Sequence, residues 1–310
     1  MDYPGMQRRL AAGDVILLDG GTGTELQRRG AQMDPGAWCG PASLESGDIL
    51  ERVHRDYIAA GADVITANTY ASSRLMLEPA GYGSRFAEIN RAAVDAAHRA
   101  REASGRSDVV IGGSLSHMAP FVPRSAQPDT SRSPSETAMK DAFGELAGFL
   151  RDSGCDLILL EMMYYPERMR FAFEAALATG LPVWAGFSAR RREDGRLLSF
   201  APERDIPFEE LVGILDDYDV AAAGVMHTPA HLVGEGLDIV RRHFDGPTLA
   251  YPDSGHFRMP EWRFEEVIPP GDLLRYASDW VADGAQIVGG CCGLSPEHID
   301  ALRPLRYDRP

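Results

Sequence analysis

Two cysteines stand side by side near the C-terminal end, in Gln286-Ile287-Val288-Gly289-Gly290-Cys291-Cys292-Gly293. Neighbouring side chains on a regular strand point to opposite faces. Adjacent thiols therefore address one ligand only where the strand has ended and the backbone turns. The flanking glycines permit that turn and let the chain lie close to whatever the sulfurs hold. A vicinal pair suits an unstrained disulfide poorly, because that bond wants alpha carbons roughly 4.4–6.8 Å apart in a suitable orientation. The pattern reads either as two thiolates aimed at one soft metal ion, zinc first, or as two buried free cysteines at a strand end. A metal needs further ligands, and His227, in Gly224-Val225-Met226-His227-Thr228-Pro229, is the candidate. One imidazole with two thiolates is a three-ligand zinc set with a position left open, the arrangement of a catalytic site. The competing reading is a hydrogen-bonded histidine at a helix start.

Two acids complete the list of residues with chemistry. Asp19 and Glu161 each follow an apolar run directly, Val15-Ile16-Leu17-Leu18 and Leu157-Ile158-Leu159-Leu160. Two carboxylates facing each other could bind a substrate ammonium group or share general acid/base work. With a metal supplying the chemistry, the ammonium is preferred. Otherwise Asp19 caps the loop and helix after it, and Glu161 pairs with an arginine.

These residues converge only if the elements between them bring them together. Short apolar runs at Val15–Leu18, Asp63–Ala67, Val109–Gly113, Asp156–Leu160, Pro182–Phe187, Val220–Val225, Thr248–Tyr251 and Gln286–Val288 read as strands. Between them, helical periodicity covers Ser43–Ala60, Ser84–Arg101, Glu136–Ser153, Glu167–Thr179, Phe208–Asp217, Ala230–Arg242 and Asp272–Ala282. Such alternation selects a parallel sheet with crossover helices, and eight strands favour an α/β fold closed as a (β/α)8 TIM barrel over an open doubly wound sheet. One barrel domain over residues 1–310 is expected. The long polar loops at 117–133, 188–207 and 252–270 all follow strand ends, on the face where barrel enzymes place their sites. Residues just past the strands, Asp19, Asn68, Ser114, Glu161, Ser188, His227, Asp253 and the cysteine pair, should meet at one mouth. The glycine-rich Asp19-Gly20-Gly21-Thr22-Gly23-Thr24 matches neither a dinucleotide fingerprint nor a Walker loop, so a nucleotide is not indicated.

Charge and cysteine usage narrow the partners. With 31 basic and 46 acidic residues the net charge is −15, which argues against a phosphate backbone. Small molecules are the expected partners, with no nucleic acid and no membrane; oligomeric state is left open. Four cysteines (Cys39, Cys155, Cys291, Cys292) form no disulfide framework. No apolar signal core opens the chain, so a reducing, cytoplasmic setting is expected. His54, His98, His117, His231, His243, His256 and His298 lie mainly on helices or in loops and are not chosen as ligands, His256 being the least safe exclusion. Arg190-Arg191-Arg192-Glu193-Asp194 reads as a solvated loop tip.

Taken together, Asp19-Gly20-Gly21-Thr22-Gly23-Thr24, Gly61-Ala62-Asp63-Val64-Ile65-Thr66-Ala67-Asn68-Thr69-Tyr70, Glu161, Tyr251-Pro252-Asp253-Ser254-Gly255 and Gly289-Gly290-Cys291-Cys292-Gly293 carry a resemblance over nearly the whole chain. The sequence resembles the homocysteine S-methyltransferases, zinc-dependent thiol methyltransferases on a (β/α)8 barrel. The resemblance implies that Cys291 and Cys292 bind Zn2+ and that Asp19 and Glu161 hold the homocysteine ammonium. It also implies that Gly20, Gly21, Asn68, Tyr70, Asp253 and Ser254 surround the substrate, and that a methyl group passes from a sulfonium or ammonium donor (S-methylmethionine, S-adenosylmethionine or a betaine) to sulfur, giving methionine. Trp38, Tyr70 or Trp262 could stack on the cationic donor.

Two departures stand out. Members of the family usually carry a third zinc cysteine in a Gly-x-Asn-Cys pattern where this chain has Met226-His227, and commonly asparagine where it has Asp253. Three thiolates plus a substrate thiolate leave zinc with a formal charge of −2; one imidazole in their place leaves −1. Less negative charge makes a bound thiol more acidic and its sulfur a weaker nucleophile. Three outcomes follow: a methyltransferase with His227 as metal ligand and homocysteine or another thiol or selenol as acceptor; a variant retuned to another donor or metal; or a metal-free small-molecule binding protein.

Overall fold

The apolar runs lack polar alternation because both faces of each strand are covered, one by the barrel interior and one by helices. The structure, a computed structural model, describes residues 3–118, 134–259 and 263–306. Its eight parallel strands are β1 (Ile16–Leu17), β2 (Val64–Ala67), β3 (Val110–Ser116), β4 (Leu157–Met163), β5 (Val183–Phe187), β6 (Ala222–Pro229), β7 (Thr248–Asp253) and β8 (Ala285–Val288). Seven neighbouring pairs run β2-β3-β4-β5-β6-β7-β8-β1. The ring closes where Leu18 bridges Val64, with Asp63 N donating to Leu17 O at 2.7 Å and Asp19 N to Val64 O at 3.0 Å. This is the expected (β/α)8 barrel.

The crossover helices are α1 (Gly47–Ala59), α2 (Phe86–Ser104), α3 (Glu136–Asp152), α4 (Pro166–Leu177), α5 (Phe208–Val212), α6 (Ala230–Val240) and α7 (Pro270–Ala282). Their ends follow local chemistry. The Ser135 hydroxyl accepts from Ala138 N to start α3, proline opens α4 and α7, and Gly105 at φ 67° closes α2. None of the described helices is long and apolar enough to cross a membrane.

The structure departs from the sequence reading at both barrel ends. A helix not expected from the sequence, Tyr3–Ala11, covers the end where the strands begin, with Met6 wholly buried, Trp184 Nε1 donating to Tyr3 Oη at 3.0 Å and Gln286 Nε2 to Leu10 O at 2.7 Å. At the opposite end β3, β4, β6 and β7 run two to four residues past their expected limits. Two of the polar loops contain hairpins, Ala189–Arg191 with Leu197–Ser199 and His256–Arg258 with Arg263–Glu265. Most of the loop at 117–133 and Trp262 lie outside the described residues.

Candidate metal centre and substrate cavity

The longer strands correct the placement of several residues: Ser114, Glu161, His227 and Asp253 sit within β3, β4, β6 and β7 rather than just beyond them. At Glu161 and His227 the aim into the mouth comes with irregular pairing. The register of β4 on β5 shifts between Leu160 and Met163, and that of β6 on β7 between Met226 and Pro229. Inside these bulges Met162 has φ 53° and His227 φ 42°, left-handed values that cost a non-glycine residue on the order of 1–3 kcal/mol. A bulge turns a side chain away from the pleat and is common at barrel rims. Here it brings the His227 ring to the end of β8.

Cys291 and Cys292 lie three and four residues past β8, in a loop stitched to its neighbours by main-chain bonds. Cys291 N donates to Pro252 O (2.8 Å), Ser254 N to Cys292 O (3.0 Å) and Gly290 N to Asp19 O (2.9 Å), while the Thr24 hydroxyl accepts from Gly293 N (3.1 Å). Gly21 must be glycine for this loop to close: a Cβ there would lie 2.6 Å from Cys291 O and 2.5 Å from Thr24 Oγ1.

The result is a compact donor set. Cys291 Sγ is 3.6 Å from His227 Nδ1 and 3.9 Å from Cys292 Sγ, and all three donor atoms fall within 4.8 Å of one another. Ligands about 2.0–2.3 Å from a tetrahedral zinc stand roughly 3.5–3.8 Å apart, so the two separations at Cys291 suit that ion, and the third, at most 4.8 Å, closes on it by drawing His227 and Cys292 together. Buried beside Cys292, the Cys291 thiol is held well above its ordinary range. His227 is driven down by burial but more strongly up by the Asp253 carboxylate and Cys291, to about 9. The cysteine–histidine–aspartate group is thus a neutralised cluster in which a divalent cation could replace protons.

These donors form one wall of a cavity of about 330 Å³ that also holds both acids. Asp19 is 1% exposed; its Oδ2 accepts from Thr66 N at 2.7 Å and its Oδ1 from Thr66 Oγ1 at 2.9 Å. Glu161 Oε2 accepts from the Ser114 hydroxyl. Burial pushes both carboxyls up to about 7, and the Glu161 charge adds to the rise at Asp19. Among the described residues neither has a lysine or arginine partner, so a cation in the cavity is what would let both ionise.

The other expected site residues divide. Gly20, Gly21, Tyr70 and Asp253 line the cavity. Asn68 also lines it, but its amide donates to Cys39 O (2.8 Å) and Ser43 Oγ (3.0 Å) and braces a loop. Ser254 and Ser188 are not in the lining; the Ser254 hydroxyl accepts from Ile268 N at 2.8 Å. Trp38 packs edge-on to Tyr70 and Phe257, with ring centroids 6.1 and 5.6 Å apart. His117, passed over as a ligand, accepts from Tyr164 N and Tyr165 N through Nε2 and holds the turn after β4.

Several lining residues had no signal in the sequence. Met118, Met162, Tyr164 and Phe200 line the cavity, and in sequence they read as ordinary apolar positions; Met226, noted there only beside His227, lines it too. Tyr251, whose hydroxyl is buried without a partner among the described residues, was legible only as part of the Tyr251-Pro252-Asp253 run. The two departures prove to be neighbours: His227 Nε2 is 3.7 Å from Asp253 Oδ2.

Comparison with known proteins adds three findings. Residues 16–305 match the family model described as homocysteine S-methyltransferase. The chain is 26% identical to homocysteine S-methyltransferase 2 of Zea mays, over 94% of this chain and 90% of that protein, and 28% identical to betaine–homocysteine S-methyltransferase 1 of Bos taurus, over 96% and 74%. In fold it is similar to the metallated form of the homocysteine methyltransferase MmuM from Escherichia coli, at a TM-score of 0.75 and 24% identity, covering 96% of this chain and 99% of that one.

Proposed function

This chain belongs to the homocysteine S-methyltransferase family and is a methyltransferase, and from that premise we propose that it moves a methyl group from a sulfonium or quaternary ammonium donor to the sulfur of homocysteine, yielding methionine. One observation carries the proposal: three soft or borderline metal donors, His227, Cys291 and Cys292, gather within 4.8 Å on the wall of the cavity that holds two buried acids with no lysine or arginine partner among the described residues. His227 Nδ1 and the two sulfurs would hold zinc. A zinc ion there would supply Lewis acidity that favours the thiolate form of the acceptor at neutral pH.

The rest is done by side chains of the chain itself. Asp19 and Glu161 take the acceptor's ammonium group, and their remaining lone pairs fix its orientation while Thr66 and Ser114 hold the carboxylates still. Tyr251 offers its unpartnered hydroxyl as a donor to the bound amino acid. Trp38, Tyr70 and Phe257 line the cavity, where a ring face would attract a cationic donor, and the surrounding methionines exclude water from the reacting carbon. In the displacement the acceptor sulfur forms a bond to the methyl carbon while that carbon's bond to the donor heteroatom breaks. The electron pair leaves with the donor, which becomes neutral, and the thiol proton is lost to solvent.

The names of the Zea mays and Bos taurus relatives support homocysteine as acceptor, and that of the latter a betaine as donor. Purified protein should contain about one zinc per chain. It should convert homocysteine to methionine with one of S-methylmethionine, S-adenosylmethionine or glycine betaine. His227→Ala and Cys291→Ser should each lose bound metal, with turnover falling on the order of a hundredfold or more. Full metal and full activity in Cys291→Ser would remove the reading. Ligand-dependent stabilisation with no turnover would point instead to a binding protein.

A further inference from the structure

We infer that Asp253 is the positioning residue for His227, accepting the proton on Nε2 so that Nδ1 presents its lone pair to the ion shared with Cys291 and Cys292. This rests on the reading of His227 as a ligand. The two nitrogens of the ring divide cleanly: Nδ1 lies 3.6 Å from Cys291 Sγ, and Nε2 lies 3.7 Å from Asp253 Oδ2. That second distance is within ion-pair range and about 0.9 Å longer than a hydrogen bond near 2.8 Å, and the terminal torsion of a carboxylate is soft. Asp253 is held beside the histidine by the sheet, where it pairs in register with Pro229, two residues beyond His227.

Nothing else described competes for the carboxylate. Its Oδ1 is buried without a partner, and the Phe200 ring, edge-on to His227 with centroids 5.2 Å apart, limits how far the imidazole can swing. A role for Asp253 as a fourth ligand fits less well, because it lies beside Nε2 and not beside the Nδ1 that faces Cys291. A carboxylate behind a ligating histidine fixes the tautomer and raises the basicity of the donor nitrogen. A cysteine at position 227 would have no second nitrogen and would need no such partner.

That contrast supplies the test. Zinc affinity of the full chain is measured by competition with a chromophoric chelator for wild type, Asp253→Ala, His227→Cys and the double variant, with thermal melts confirming that each is folded. Asp253→Ala is expected to weaken zinc binding about 10–100-fold and to shift the sulfur-to-metal charge-transfer bands of the cobalt(II)-loaded protein. In the His227→Cys background the same substitution should leave affinity within about twofold. Equal losses in both backgrounds, or Asp253→Ala binding zinc as tightly as wild type with only the KM for the thiol raised, would overturn the inference. Wild type that takes up no zinc at all would overturn it together with the metal reading beneath it, a result distinguishable from tight binding that ignores Asp253.

Discussion

At the residue scale the site is built from groups that are costly in isolation and useful together. Asp19 and Glu161 ionise near 7 in the folded chain and near 4 when unfolded, because burial disfavours their charged forms. The folded protein therefore binds more protons across that interval. The stability these groups contribute is complete below about pH 4 and is lost as pH rises through about 7. Ligand-free Asp19→Asn, whose amide oxygen can still accept from Thr66 N while its NH2 donates to the Thr66 hydroxyl, should be more stable than wild type at pH 8.5 by up to about 4 kcal/mol and equal to it near pH 4. Urea titrations at the two pH values check this, and a difference independent of pH would contradict it. The same variant should lose affinity for the acceptor's amino group, since the charge that destabilises the free protein is the one the ammonium neutralises.

At the element scale, two bulges and one glycine-rich loop do the positioning. Regular pleating would alternate Glu161, Met162 and Met163, and likewise Met226, His227 and Thr228, between barrel interior and helix layer. The register shifts and positive φ values at Met162 and His227 break that alternation and bring His227 to the cysteines. The loop after β1 supports the other half of the donor set, with Gly21 packed directly on the Cys291 carbonyl. Gly21→Ala must push these two loops apart. It should weaken zinc retention at least about tenfold while lowering global stability by only about 1–3 kcal/mol, as read by chelator competition beside denaturant unfolding. Unchanged metal affinity would mean the loops move independently.

At the scale of the whole molecule the two ends of the barrel serve different ends. The site occupies the face where strands finish; the opposite face is closed by the Tyr3–Ala11 helix and a buried charge cluster. Asp63, fully buried before β2, accepts from Leu17 N at 3.0 Å and pairs with Arg9 at 2.9 Å and Arg306 at 2.5 Å, tying both chain ends to the barrel floor. Removing one partner of such a buried group strands the others. Asp63→Asn should cost about 3–5 kcal/mol of stability, measured by chemical unfolding, yet leave zinc affinity unchanged at temperatures where the barrel is folded. A matching loss of metal would show that the two faces are not separable.

How far the sequence could be read follows from what each feature depends on. Strand and helix periodicity are local, so the alternation and the barrel were legible along the chain, as was the gathering of Asp19, Glu161 and Cys291–Cys292 at one mouth. The Tyr3–Ala11 helix was not, because its reason to exist is the open barrel end it covers. Nor were the methionine and aromatic lining residues, whose types suit any core. The sequence by itself determined which residues could act and that eight strands would carry them to one face. Only the tertiary structure decided that Asn68 and Ser254 brace loops, and that the departures at 227 and 253 stand next to each other, because contacts between strands depend on register and bulges that local pattern does not encode.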